Sequence, residues 1–318
     1  MDRTACRYQG LMPRVNLRRG RLGYKGAMFP DFQRQRIAAN GVGIHTLIGG
    51  AGPPLLLLHG YPQTHLIWHR VVPALAANYT VVLTDLRGYG ASDKPVGLTD
   101  HANYSKREMA RDQVEVMRQL GFASFFLCGH DRGGRVAHRV AVDHPEAVKK
   151  LMLLDISPTL TMYERTDTDF ARAYWWWFWL IQPAPFPETM VAGNPEAYLR
   201  KKIGWGHAGL TPFTSETYAA YLAAVSDPAT MHGMCEDYRA AASIDLEHDR
   251  ADRAAGRKIA CPVNVLWGEF GVVNQCFKPL EDWRKVATDV IGRTVPSGHY
   301  IPEEVPGELL AEMTAFFR

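Results

Sequence analysis

Short apolar blocks, separated by turn residues and by stretches of helical spacing, set out the organisation of this chain. Runs at 33–38 and 44–48 flank Asn40-Gly41-Val42-Gly43 and predict a β-hairpin. Further strand-length runs fall at 55–58, 79–84, 124–128, 151–154, 262–267 and 290–295. Between them, apolar residues recur at helical intervals over 67–76, 106–120, 136–142 and 280–286, and again from Pro306. Strands that alternate with helices predict a doubly wound, mostly parallel α/β sheet.

The alternation lapses over 157–258, where helical spacing and aromatic residues dominate and no convincing strand appears. A helical insert between sheet strands reads as a cap over their carboxyl ends, where open α/β sheets place ligands. The expected organisation is a core made of 28–156 and 259–318, a helical cap of 157–258, and a basic, disordered leader of 1–27.

Charge changes the picture only at that leader. The 318 residues carry a formal net charge of +3. Residues 1–27 hold seven basic side chains against Asp2, which leaves 29 basic and 32 acidic residues for the rest. The folded body is therefore slightly acidic, and nothing in it calls for nucleic-acid binding. The leader lacks the apolar run of a secretory signal, and a nucleic-acid or targeting arm is the minor reading of it. No stretch approaches the ~18 apolar residues of a membrane span. Five cysteines without CxxC spacing point to reduced thiols and a cytoplasmic setting. Asp245, Glu247, His248 and Asp249 read as a solvated surface of the cap rather than a metal site. No dinucleotide or phosphate fingerprint is present, so no cofactor is expected.

The candidate chemistry centres on Gly129-His130-Asp131-Arg132-Gly133-Gly134-Arg135. Small residues on both sides of Asp131 allow a sharp strand-to-helix turn that displays one side chain over the sheet's edge. A carboxylate shown there suits displacement of a leaving group from saturated carbon. Asp155 and His299 also fall at strand ends, so parallel strands would bring a nucleophile, a base and an orienting acid together. Glu269, after the next strand, is the weaker candidate for that acid. Arg132 and Arg135, three apart on the following helix, suit a small carboxylate substrate.

With these residues stand His59-Gly60-Tyr61-Pro62-Gln63-Thr64-His65, Asp85-Leu86-Arg87-Gly88-Tyr89-Gly90, Gln182-Pro183-Ala184-Pro185, Cys235-Glu236-Asp237-Tyr238-Arg239 and Ser297-Gly298-His299. From about Phe29 onward the chain resembles the haloacetate and fluoroacetate dehalogenases of the α/β-hydrolase superfamily. The resemblance implies that Asp131 forms an alkyl ester, which water activated by His299 and Asp155 then hydrolyses. It implies an oxyanion hole from the backbone of Tyr61 and Arg132, halide donors at Trp177 and Tyr238, and homodimerisation. Relatives active on fluoroacetate carry histidine before that tryptophan, whereas this chain has Trp176 at the halide site. Chloride and bromide are thus the expected leaving groups, with defluorination left open. An epoxide hydrolase using cap tyrosines (Tyr163, Tyr174, Tyr218, Tyr221, Tyr238) and a catalytically silent binding protein are the competing readings.

Overall fold

The computed structural model describes residues 28–318, so the expectation for residues 1–27 lies outside the described residues. Eight strands form one sheet: β1 (Gln33–Ala39), β2 (Val42–Gly49), β3 (Pro54–Leu58), β4 (Thr80–Thr84), β5 (Phe125–His130), β6 (Val148–Leu154), β7 (Val263–Gly268) and β8 (Val290–Val295). Their spatial order is β1-β2-β4-β3-β5-β6-β7-β8. The pairs β1–β2 and β2–β4 are antiparallel, and every other pair is parallel. The hairpin closes on Asn40 and Gly41, both at positive φ, as a two-residue turn with the twist of its strands requires.

Helices cover both faces of the sheet, which is why its central strands are apolar throughout. Leu56 and Leu58 of β3 pack into the cluster that holds Ala137 and Val140 of the helix Arg132–Asp143. Leu55 and Leu57 face the opposite cluster, with Trp68, Ile301 and Met313. Between β6 and β7 run eight helices, from Thr159–Glu164 to Ile244–Ala254, with no strand among them. Among the described residues no helix is long and apolar enough to cross a membrane.

Two helix readings change. The segment 67–76 splits into a 3₁₀ turn, His65–Trp68, and a short helix, Val72–Leu75. Pro73, which has no N–H to donate, restricts the second piece to a fresh start. The helix read at 136–142 instead begins at Arg132, immediately after Asp131. Its glycines are helical because the turn is crowded. A Cβ on Gly133 would stand 2.4 Å from the His59 carbonyl oxygen, and one on Gly129 would stand 2.5 Å from that of Gly133. Close packing here overrides the poor helix propensity of glycine.

One member of the insert's acidic group departs from the solvated surface expected, while Glu247 is exposed and His248 and Asp249 are half-buried. Asp245 is buried and accepts from the Lys106 backbone N–H at 2.8 Å and from Lys106 Nζ at 3.4 Å. The burial of Asp245 reflects insert-to-core packing that a one-dimensional pattern does not carry.

Buried Glu303 bonds to Gln63 Nε2 at 2.5 Å and to the Tyr221 hydroxyl at 3.3 Å. Burial pushes its pKa up to about 8. Between the unfolded pKa near 4.5 and that value, only the native state binds this proton, so stability falls as pH rises, by about 1.4 kcal/mol per pH unit for this group. Glu303→Gln is expected to raise the melting temperature more at pH 8 than at pH 5. Equal shifts at both pH values would remove the proton from this account.

Candidate active site

Strands β5, β6, β7 and β8 are parallel neighbours, so the residues after their last positions share one edge of the sheet. Asp131 follows β5, Asp155 follows β6, Glu269 follows β7 and His299 lies in the loop after β8. Asp131 adopts φ 47° and Asp155 φ 52°, a region that non-glycine residues rarely occupy. Strain of this kind survives where surrounding structure over-determines it.

His299 Nδ1 meets Asp155 Oδ2 at 2.6 Å, and its Nε2 lies 3.7 Å from Asp131 Oδ2. The other Asp155 oxygen accepts the Gly268 N–H at 2.9 Å. Glu269 is exposed, and its side chain makes no hydrogen bond to His299 among the described residues. Glu304 fixes the histidine loop by accepting from the Gly298 N–H at 2.6 Å and the Tyr300 N–H at 2.8 Å. The neighbouring His130 ring bonds to the His299 carbonyl oxygen at 2.8 Å, and burial holds its pKa down at about 3.

The Tyr61 backbone N–H donates to Asp131 Oδ1 at 2.9 Å. That of Arg132, at the first position of its helix, has no intrahelical acceptor. Burial raises the Asp131 pKa, but His299, His130, Arg132 and Arg135 outweigh it and bring it down to about 2. The carboxylate is therefore ionised at neutral pH.

Both arginines are buried, so neither belongs to a helix surface. Arg132 is not a free cation. Its Nε and Nη2 grip the two Asp237 carboxylate oxygens at 2.8 Å each, and Nη2 reaches the Asp237 carbonyl at 2.8 Å. Asp237 also accepts from Lys106 and, at 2.7 Å, from the Tyr89 hydroxyl. Arg135 has no acid partner among the described residues. It donates to the Ser157 carbonyl at 3.2 Å and Thr159 Oγ1 at 2.9 Å. Burial and the neighbouring Arg132 charge lower its pKa.

Over these guanidinium groups lie the insert's rings, with Arg132 4.1 Å from the Tyr238 centroid and Arg135 4.6 Å from that of Trp177. Among the described residues, the buried donors Arg132 Nη1, Arg135 Nε, Trp177 Nε1 and the Tyr238 hydroxyl have no partner. An unmet buried donor costs roughly 1–3 kcal/mol, so a cluster of them marks a place where a ligand supplies acceptors. Asp131 is 3 % exposed and Trp177 and Tyr238 are 0 % exposed, so the site is closed to solvent.

A cavity of about 600 Å³ lies elsewhere, lined by His45, His65, Asp85, Glu216 and Asp227 among others. The ligand atoms of His45, His65 and Asp85 fall within 4.8 Å of one another. Asp85 already accepts the His65 N–H at 2.9 Å, His65 Nδ1 at 2.8 Å and the Ala91 N–H at 2.9 Å. Its carboxylate is occupied in closing the loop 85–92.

Sequence reasoning missed Asp237 as the counter-ion of Arg132, Glu304 as the anchor of the histidine loop, and Lys202. The lysine is buried on the helix Pro195–Gly204, its Nζ 2.9 Å from the Tyr300 hydroxyl and 4.0 Å from the Trp176 centroid. Glu304 follows the Ser297-Gly298-His299 motif by five residues, a spacing that could have flagged it. Nothing in the sequence singles out Lys202.

The sequence profile of the alpha/beta hydrolase fold matches residues 53–271. A fluoroacetate dehalogenase of Burkholderia sp. is 46 % identical over 282 residues, covering 88 % of this chain and 92 % of that protein. A soluble epoxide hydrolase of Corynebacterium sp. is 31 % identical, covering 91 % of this chain and 99 % of its own. A crystal structure from Nostoc sp. PCC 7120, of a protein classed with the alpha/beta hydrolases, superposes with a TM-score of 0.89. It is 52 % identical and covers 91 % of this chain and 99 % of its own.

Proposed function

The chain belongs to the alpha/beta hydrolase family, in its haloacetate-dehalogenase-like branch, and on that premise we propose that it hydrolyses the carbon–halogen bond of small 2-haloacids. The observation that carries the acid substrate is Arg135, a buried cation without an acid partner among the described residues, four residues past Asp131. A substrate carboxylate accepts from Arg135 Nε and Arg132 Nη1, the two guanidinium donors left unmet.

Asp131 Oδ1 is held by the Tyr61 N–H, so Oδ2 attacks the halogen-bearing carbon from the side opposite the halide. The new C–O bond forms as the carbon–halogen bond breaks, and the halide leaves with the electron pair. Trp177 Nε1 and the Tyr238 hydroxyl receive it, with Trp176 beside them. His299, oriented by Asp155, takes a proton from water, and the hydroxide adds to the Asp131 carboxyl carbon. Oδ1 carries the resulting oxyanion against the backbone N–H groups of Tyr61 and Arg132. Collapse breaks the ester C–O bond, the departing alkoxide takes the proton back from His299 to give the 2-hydroxyacid, and loss of the remaining proton to solvent restores the Asp131 carboxylate. No cofactor is needed for this balance.

One observation keeps an epoxide hydrolase in view. The Tyr163 and Tyr238 hydroxyls are both buried without partners, their rings 5.0 and 6.3 Å from that of Trp177. A neutral epoxide leaves Arg135 uncompensated, which is the reason for preferring the acid. A panel of chloroacetate, bromoacetate, fluoroacetate and simple epoxides, read by halide electrode and diol analysis, decides between them. Chloride and bromide release is expected. Diol formation without halide release sinks the proposal, and binding without turnover would leave a silent hydrolase fold.

Arg135→Lys is expected to lower kcat/KM for chloroacetate on the order of 100-fold, about 2.7 kcal/mol, because a point charge cannot reproduce the forked donor geometry. Unchanged kinetics would remove Arg135 from carboxylate binding.

A further inference from the structure

Two buried cations near Asp131 have no acid partner among the described residues: Arg135 and Lys202. On the proposed reaction, two anions occupy the site, the substrate carboxylate and the departing halide. Arg135 serves the first. We propose that Lys202 is the counter-charge for the halide, acting through the face of Trp176 so that a halide subsite suited to chloride and bromide is built from Lys202, Trp176 and the Trp177–Tyr238 donors.

The geometry is that of a cation held in an aromatic cage. Lys202 Nζ stands 4.0 Å from the Trp176 ring centroid, 5.3 Å from that of Tyr300 and 5.6 Å from that of Tyr61. Among the described residues its hydrogen-bond partner is the Tyr300 hydroxyl at 2.9 Å. Ring faces attract an ammonium less strongly than a carboxylate partner attracts a buried charge. The cage therefore holds the lysine in place without neutralising it. A cation over the indole face also draws electron density from the ring, which makes the Trp176 N–H a stronger donor to an anion.

Charge bookkeeping during displacement gives the same assignment. As the carbon–halogen bond breaks, negative charge leaves Asp131 and gathers on the halide. The Asp131 carboxylate is the charge that favours the ammonium form of Lys202, opposed by burial. A halide at the subsite takes over that role once Asp131 is an ester. Fixed charge aimed at where negative charge develops lowers the barrier without reorganisation.

The same geometry makes the subsite responsive to pH. Burial brings the Lys202 pKa down to about 7, so the ammonium form gives way to the amine as pH rises through neutrality. The groups facing it are Tyr300, Tyr61 with its partner Tyr198, Trp176, His130 and Asp131, with His299 and Glu303 on the segment that carries Tyr300. Of these, His130 is held neutral and Asp131 ionised near pH 7. Halide affinity is thus greatest below pH 7 and declines above it.

Chloride affinity tests the inference independently of turnover, through quenching of tryptophan fluorescence, with acetate as the control for the arginine clamp. The wild-type chloride dissociation constant is expected to rise about tenfold from pH 6 to pH 8. In Lys202→Met it is expected to start at least tenfold weaker at pH 6 and to lose most of that dependence, whereas acetate binding changes less than twofold. Trp176→Phe keeps a ring for the lysine but removes the N–H, and is expected to weaken chloride alone; it serves if Lys202→Met does not fold. Equal chloride affinity in the variants, or equal losses for chloride and acetate, overturns the proposal. The inference rests on the dehalogenase reading, yet the two fail separately. Lys202-dependent chloride binding without halide release from chloroacetate sinks only the reaction, and release with Lys202-independent chloride binding sinks only the lysine's role.

Discussion

His299→Asn supplied with chloroacetate is expected to release one chloride per active site and then stop, with the enzyme's mass increased by the carboxymethyl group esterified to Asp131. The displacement step needs only Asp131 Oδ2 and the donors around the halide, and none of these is removed. Hydrolysis needs a base 3.7 Å from that oxygen, held by Asp155 at 2.6 Å, and asparagine cannot take the proton. Steady turnover should fall by at least about 10³, within the range attributed to a positioned base. Asp131→Asn should give neither a burst nor turnover, because the amide is a poor nucleophile. The check is a single-turnover halide assay with intact-protein mass spectrometry. Steady turnover without trapped mass in His299→Asn would falsify the ester route. Turnover of wild type in heavy-oxygen water adds a second reading, since the first cycle must place the label in Asp131 and not in product.

Asp237→Ala is expected to be the most damaging single change to stability away from the nucleophile, costing about 3–5 kcal/mol. The residue is 0 % exposed and compensates Arg132 and Lys106 at once. Removing it leaves Arg132 without a counter-ion in a site that excludes water, Lys106 with Asp245 alone at 3.4 Å, and the Tyr89 hydroxyl unmet. The urea midpoint should drop, and chloroacetate affinity should change as well, because Arg132 would be free to turn. Asp237→Asn keeps the size and loses the charge, so it should recover only part of the loss. A midpoint within experimental scatter of wild type would mean that the cluster contributes no net stability.

The sheet was legible because its strands are buried on both faces, and continuous apolar runs bounded by turns have few other readings. The nucleophile turn was legible for a different reason. Gly129 and Gly133 are required by contacts of 2.5 and 2.4 Å that any Cβ would make, so the physical demand leaves its mark on the residue type. Asp155 and His299 could be placed because strand ends converge whatever the intervening chain does. Charge partners obey no such rule. Asp237 lies on an insert helix 105 residues from Arg132, and only the packing of insert on core brings them to 2.8 Å. Lys202 reads from sequence as one of two adjacent lysines near a helix end, a place where lysine is ordinary on dipole grounds alone. Its burial among rings comes from three separate segments, carrying Tyr61, Trp176 and Tyr300.

Asp131 sits beneath the insert with 3 % of its surface open. On the proposed reaction, the insert must therefore part to admit each acid molecule and part again to discharge hydroxyacid and halide, while Asp131 acts only when shut off from bulk water. Selectivity is consequently exercised twice, by the door as well as by the seat. A larger acid that would fit the donors can still be refused simply because the gap never opens wide enough for long enough.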